Sequence, residues 1–147
     1  MIDVFTDSYF MKQALLEAEK AAEREEVPVG AVVVCGGRII ARAHNTTERL
    51  KDVTAHAEML AITAASEALG GKFLNQCTMY VTLEPCPMCA GALQWARLGK
   101  LVYGAVDEKR GYLQYDPNLL HPTTEVAYGL EQDACAQLLT QFFRARR

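Results

Sequence analysis

The chain has 147 residues, half of them hydrophobic, with a formal net charge of −3. That length suits one domain with a core that needs no disulfides, and the weak negative charge argues against a general polyanion binder. The opening MIDVFTDSYF lacks the basic region and apolar core of a signal peptide, and the longest clear apolar run, Ala31 to Cys35, is far too short to cross a bilayer. One domain over residues 1–147, cytoplasmic and without a membrane partner, is the expectation.

In chain order, apolar residues at Phe10, Ala14, Leu15, Ala18, Ala21 and Ala22 predict a helix from Thr6 to Glu26. Thr6 or Asp7 is placed to cap its start. Asp7 to Glu26 holds six acidic and three basic residues, which accounts for the whole net charge. Val29 to Cys35 reads as a buried strand, Gly36-Gly37 as a tight hairpin turn needing positive φ, and Arg38 to Ala43 as the returning strand. The polar stretch His44 to Thr54 reads as loop. Ala55 to Leu69 reads as a helix closed by Gly70-Gly71.

Thr78 to Leu83 predicts a third strand, Pro87 to Leu98 a helix, and Leu101 to Ala105 a fourth strand. Residues Asp107 to Thr123 read as mostly irregular. Glu125 to Tyr128 reads as a fifth strand and Glu131 to Ala145 as a closing helix. A hairpin followed by strand–helix–strand crossovers implies an α/β fold with one mixed sheet and helices on both faces.

Two short motifs carry chemistry. Cys86 and Cys89 are three residues apart at a helix start, so both sulfurs share one face at its N-terminal end. Pro87 suits the first helical turn, and the helix dipole there favours thiolates. This is preparation for a cation or for a reactive dithiol. His56 also opens a helix, with Glu58 two residues on. In a first turn, side chains tilt beyond the helix end, so both can converge on one point. His56, Cys86 and Cys89 then give zinc three ligands and leave one position for water, the arrangement of a catalytic site. Zinc makes that water acidic near neutral pH, with Glu58 as the general acid–base. One zinc ion per chain is expected.

His56-Ala57-Glu58 with Pro85-Cys86-Pro87-Met88-Cys89 is the H-x-E…P-C-x-x-C pattern of zinc nucleobase deaminases. Over nearly its full length the chain resembles bacterial tRNA-specific adenosine deaminases. The stretches EVPVGAVVV, HNTTERLKDVTAHAEMLAI, MYVTLEPCPMCAGAL, YGAVDEKRG and FFRARR carry the resemblance. It implies a three-layer α/β/α, cytidine deaminase-like fold with a mixed five-stranded sheet, and a homodimer. It also implies conversion of the wobble adenosine of a tRNA anticodon loop to inosine. The resemblance further implies that Asn45 hydrogen-bonds the base. Asp107 and Lys109 match loop contacts near the anticodon, and Phe143, Arg144 and Arg146 the terminal RNA-contacting segment. The stretch Gly111 to Pro117 departs from the small residues and glycines many members carry there, and so bears on sequence context.

Other readings stay open at this point. The metal motifs are shared with guanine and cytosine deaminases. A zinc-bearing RNA-binding module or a Cys86–Cys89 dithiol would use the same residues differently. Glu84 reads either as an ion-pair partner or as support behind the ligands. Of Phe142 and Phe143, at least one belongs to the core. Arg144, Arg146 and Arg147 also suit a solvated helix end. His44 and His121 lack a partner pattern, and Cys35, Cys77 and Cys135 read as small buried side chains.

Overall fold

The computed structural model describes residues 4–146. Helix α1 (Val4–Glu23) leads into the strands β1 (Gly30–Cys35) and β2 (Arg38–His44). A short helix α2 (Thr47–Leu50) and the helix α3 (Ala57–Leu69) follow. Then come β3 (Cys77–Leu83), α4 (Pro87–Trp95), β4 (Lys100–Ala105), β5 (Glu125–Tyr128) and α5 (Gln132–Arg144). A 3₁₀ turn at Tyr112–Gln114 interrupts the otherwise irregular segment before β5.

The five strands form one sheet in the order β2-β1-β3-β4-β5. β1 is antiparallel to both β2 and β3, whereas β3–β4 and β4–β5 are parallel. The mixture follows from the connections: a tight turn reverses β1 into β2, α4 crosses over between the parallel β3 and β4, and a long irregular segment crosses over from β4 to β5. Gly36 and Gly37 make that turn with φ of 60° and 75°.

Strand alternation sorts the core into two layers. Ala31, Val33, Met79, Val81, Leu101 and Tyr103 pack toward α3 and α4, against Ala57, Ala61, Ala65, Ala90 and Leu93. Val32, Val34, Tyr80 and Val102 face the other way, onto Phe10, Met11 and Ala14 of α1 and Cys135 of α5. The domain is therefore the expected α/β/α sandwich. At Gly30 the α1 backbone comes so close that a Cβ would overlap the Ala14 carbonyl oxygen.

Some boundaries differ from the sequence reading. Helix α1 begins before Thr6, so neither Thr6 nor Asp7 caps its start; the buried Asp7 carboxylate accepts a hydrogen bond from the Tyr80 hydroxyl. The helix ends at Glu23, because Glu25 turns left-handed and the Glu26 carboxylate leaves for other partners. Those partners are the Glu48 and Arg49 N–H groups, at 3.0 and 2.8 Å, which makes helix α2 inside the expected loop. Helix α4 stops at Trp95, where Arg97 adopts a left-handed φ and the Leu98 side chain is fully buried. α5 is shorter by one residue at each end. Arg147 lies outside the described residues.

Candidate active site

His56 is the N-cap of α3 and Cys86 the N-cap of α4. A cap side chain normally accepts a bond from its own helix, but neither of these does. Both turn instead toward the gap between the two helix ends. His56 Nδ1 stands 3.6 Å from Cys86 Sγ and 3.5 Å from Cys89 Sγ, and the three ligand atoms lie within 4.8 Å of one another. A tetrahedron with zinc–sulfur bonds of about 2.3 Å and a zinc–nitrogen bond of about 2.0 Å has N···S edges of roughly 3.5 Å. The donor set and its spacing thus fit zinc bound through Nδ1.

Electrostatics at the cluster are strongly perturbed. The Cys86 thiol falls to about 4, chiefly because Cys89 hydrogen-bonds to its thiolate, with His56 adding to the effect against the opposing effect of burial. Cys89 moves upward as the donor of that pair, and burial adds to the rise. The hydrogen bond to Cys86 raises His56, against the opposing effect of burial. Burial pushes the Glu58 carboxyl up to about 7, and the negative Cys86 adds to it. Among the described residues, no other group of three or more potential metal ligands converges.

His56, Glu58 and Cys86 line a cleft of about 670 Å³, together with Asn45, Asp107, Lys109 and Phe143. Cys89 lies fully buried behind it. Asn45 is held by its backbone N–H on the Val29 carbonyl and by its side-chain amide on the Val27 carbonyl, at 3.0 and 3.3 Å. Its Oδ1 is buried without a partner, in a residue that lines the cleft. Asp107 Oδ1 accepts the N–H groups of Lys109 and Arg110, at 3.1 and 3.0 Å. That carboxylate shapes the turn, and Lys109 is left exposed on the rim.

The C-terminal segment divides. Phe142 is buried, whereas Phe143 is half exposed in the cleft wall. Arg144 sits in an adjoining recess with Leu139 and Thr140. Arg146 folds back with its guanidinium 3.6 Å from the centre of the Phe142 ring and faces a separate recess shared with Arg24 and Arg49. The structure therefore brings Asn45, Asp107, Lys109 and Phe143 to the metal cluster and leaves Arg144 and Arg146 outside its cleft.

His44 is engaged with Glu17 at 3.2 Å and His121 with Thr123 at 2.8 Å, both away from the cluster. Of the remaining cysteines, Cys77 and Cys135 are buried while Cys35 is only half-buried. Sequence reasoning passed over Val27, Val29 and Thr47 as cleft walls. The signal lay in their positions beside the start and end of the hairpin.

Over residues 5–105 the chain matches the family described as the cytidine and deoxycytidylate deaminase zinc-binding region. It is 48% identical to the tRNA-specific adenosine deaminase of Agrobacterium fabrum over 145 residues, 95% of each chain. A solved structure from work on A-to-I editing by tRNA:A34 deaminases at the wobble position of transfer RNA is similar with a TM-score of 0.84. It is 47% identical and the match covers 89% of this chain and 99% of that one. Guanine deaminase from Bacillus subtilis is similar with a TM-score of 0.64 at 41% identity, over 67% of this chain and 63% of the other.

Proposed function

Because the chain belongs to the cytidine and deoxycytidylate deaminase family, among relatives that are tRNA-specific adenosine deaminases, we propose that it hydrolyses adenosine to inosine at the wobble position of a tRNA anticodon. One observation carries the site assignment: three soft and borderline ligand atoms meet at two helix ends, with a buried carboxyl, Glu58, in the same cleft.

His56 Nδ1, Cys86 Sγ and Cys89 Sγ hold one zinc ion per chain. Zinc supplies Lewis acidity that lets water act as a nucleophile near neutral pH. Glu58 takes the two protons of the attacking water in turn on a carboxyl oxygen, passing the first to the purine ring nitrogen and the second to the departing amino group. The bond formed is C6–O, the bond broken is C6–N6, and ammonia leaves. A carboxyl raised by burial suits both halves of this shuttle. Asn45 orients the base through its unpartnered Oδ1, which accepts from a donor on the base edge.

The base reaches the cleft only when its nucleotide is splayed out of the loop, the usual mode of single-stranded RNA recognition. Phe143 offers a half-exposed ring for stacking, and Lys109 a cation for a nearby phosphate. Asp107 acts through the turn it closes. Arg144 and Arg146 contact RNA beyond the target nucleotide, from their recesses on either side of α5.

The protein works as a homodimer in the cytoplasm. In support, the outer face of α3 and α4 forms a groove with Trp95, 82% exposed, beside Phe73 and Ile62, a surface suited to burial by a second copy. Among the described residues no helix is long and apolar enough to cross a membrane.

The test is direct. Purified protein is incubated with anticodon stem-loops, free nucleosides, guanine and cytosine, and ammonia and inosine are measured. Inosine from stem-loops alone is expected. Ammonia from a free base alone would overturn the substrate assignment, and ammonia from none would overturn the catalytic one.

A further inference from the structure

Glu84 stands between the end of β3 and the first cysteine of the metal pair, and the chemistry above does not use it. Its side chain is only 2% exposed. Backbone donors of one loop take both of its oxygens. Oε1 accepts from the Asp107 N–H and Oε2 from the Leu113 N–H, each at 3.1 Å. The loop closes tightly on this carboxylate, since a Cβ at Gly111 would overlap it. Next to it, the Tyr112 N–H donates to the Pro85 carbonyl at 2.9 Å. Residues 107–113 are thus wrapped around one buried acid, with Lys109 and Arg110 on the outside.

We propose that Glu84 is a positioning residue for RNA binding: it clamps the 107–113 rim loop to the metal-ligand turn, so that Lys109 and Arg110 on the cleft rim are in place before RNA arrives. The inference rests on the reading of this cleft as an RNA deaminase site. The partly buried N–H groups of Asp107 and Leu113 need acceptors, and one carboxylate supplies both. A flexible rim would lose more freedom on binding, and affinity would fall accordingly. The groups His56, Glu58, Cys86 and Cys89 lie outside the 107–113 loop, so loosening that loop acts on RNA binding before it acts on the chemical step.

Glu84→Gln keeps the shape but turns an NH₂ toward one of the two N–H donors. Amide exchange at Asp107 and Leu113 is expected to quicken by about tenfold or more, the worth of one lost hydrogen bond. KM for an anticodon stem-loop should rise by roughly the same factor, with kcat changed less than about threefold and zinc still one per chain. Gly111→Ala, which presses a methyl onto the same carboxylate from the loop side, should give the same split. Faster loop exchange with an unmoved KM, or a fall in kcat at constant KM, in either variant would overturn the clamp. Wild-type protein that makes no inosine from any stem-loop overturns the reading of function instead, in a control that contains no variant.

Discussion

His56 and Cys86 occupy cap positions that usually go to Ser, Thr, Asp or Asn. A residue there stands half outside the helix, and its side chain can leave the helix axis altogether. That is why His56 and Glu58, two apart in sequence, line one cleft here, although such a pair diverges in mid-helix. The roles separate by experiment. Glu58→Ala should retain zinc and lose turnover by about 10²–10⁴-fold, the usual worth of a positioned acid–base. Cys86→Ala should lose both, and metal analysis beside the rate assay distinguishes the two. Residue chemistry alone was less informative for Asp107 and Arg146. The family resemblance implies an RNA contact for each, yet each bonds a backbone group near itself in sequence. Asp107 accepts the N–H groups beside it and Arg146 donates to the Phe142 carbonyl, and periodicity does not reveal such local competition.

Among the elements, the long ones were readable because their apolar spacing was regular. The stripe through Phe10, Ala14, Ala18 and Ala21 is buried throughout. Helix α2 was missed because four residues carry no period, and its N–H groups are satisfied by Glu26, more than twenty positions earlier. A similar long-range tie joins α1 to β2. Burial pushes the Glu17 carboxyl up, but hydrogen bonds from Lys20 and His44 outweigh it and hold the group below its ordinary value of 4.5. A depressed carboxyl stabilises the fold fully above its unfolded pKa, and that contribution is lost as pH falls through the lower folded value. Glu17→Gln should therefore flatten the fall of thermal stability below about pH 4.5. A melting curve measured at several pH values checks this, and an unchanged acid limb would remove Glu17 from the account.

Across the molecule, the ligand cluster joins helices from separate crossovers, α3 after the hairpin and α4 between β3 and β4. A ligand that binds only the folded state stabilises it by mass action. At free zinc about a hundredfold above its dissociation constant, stripping the metal should lower the melting temperature by roughly 5–10 °C for a chain of this size. Refilling with zinc should restore it, as calorimetry of the two forms would show.

Local pattern by itself determined the order of the long elements and the α/β class, and it singled out His56, Glu58, Cys86 and Cys89, which the fold brings together. Each of those follows from spacing within a few residues: a period of two or near four, a glycine pair, a helix start beside a histidine or a cysteine. Only the tertiary structure decided which wall of the cleft each remaining residue serves. It turned Phe142 inward and left Phe143 in the cleft wall, folded Arg146 back onto its own helix, left the buried Oδ1 of Asn45 without a partner, and gave Glu84 a loop to hold. The reason is physical. A buried hydrogen-bonding group takes whichever partner the packed chain brings within about 3 Å, and distance along the sequence does not say which one that is.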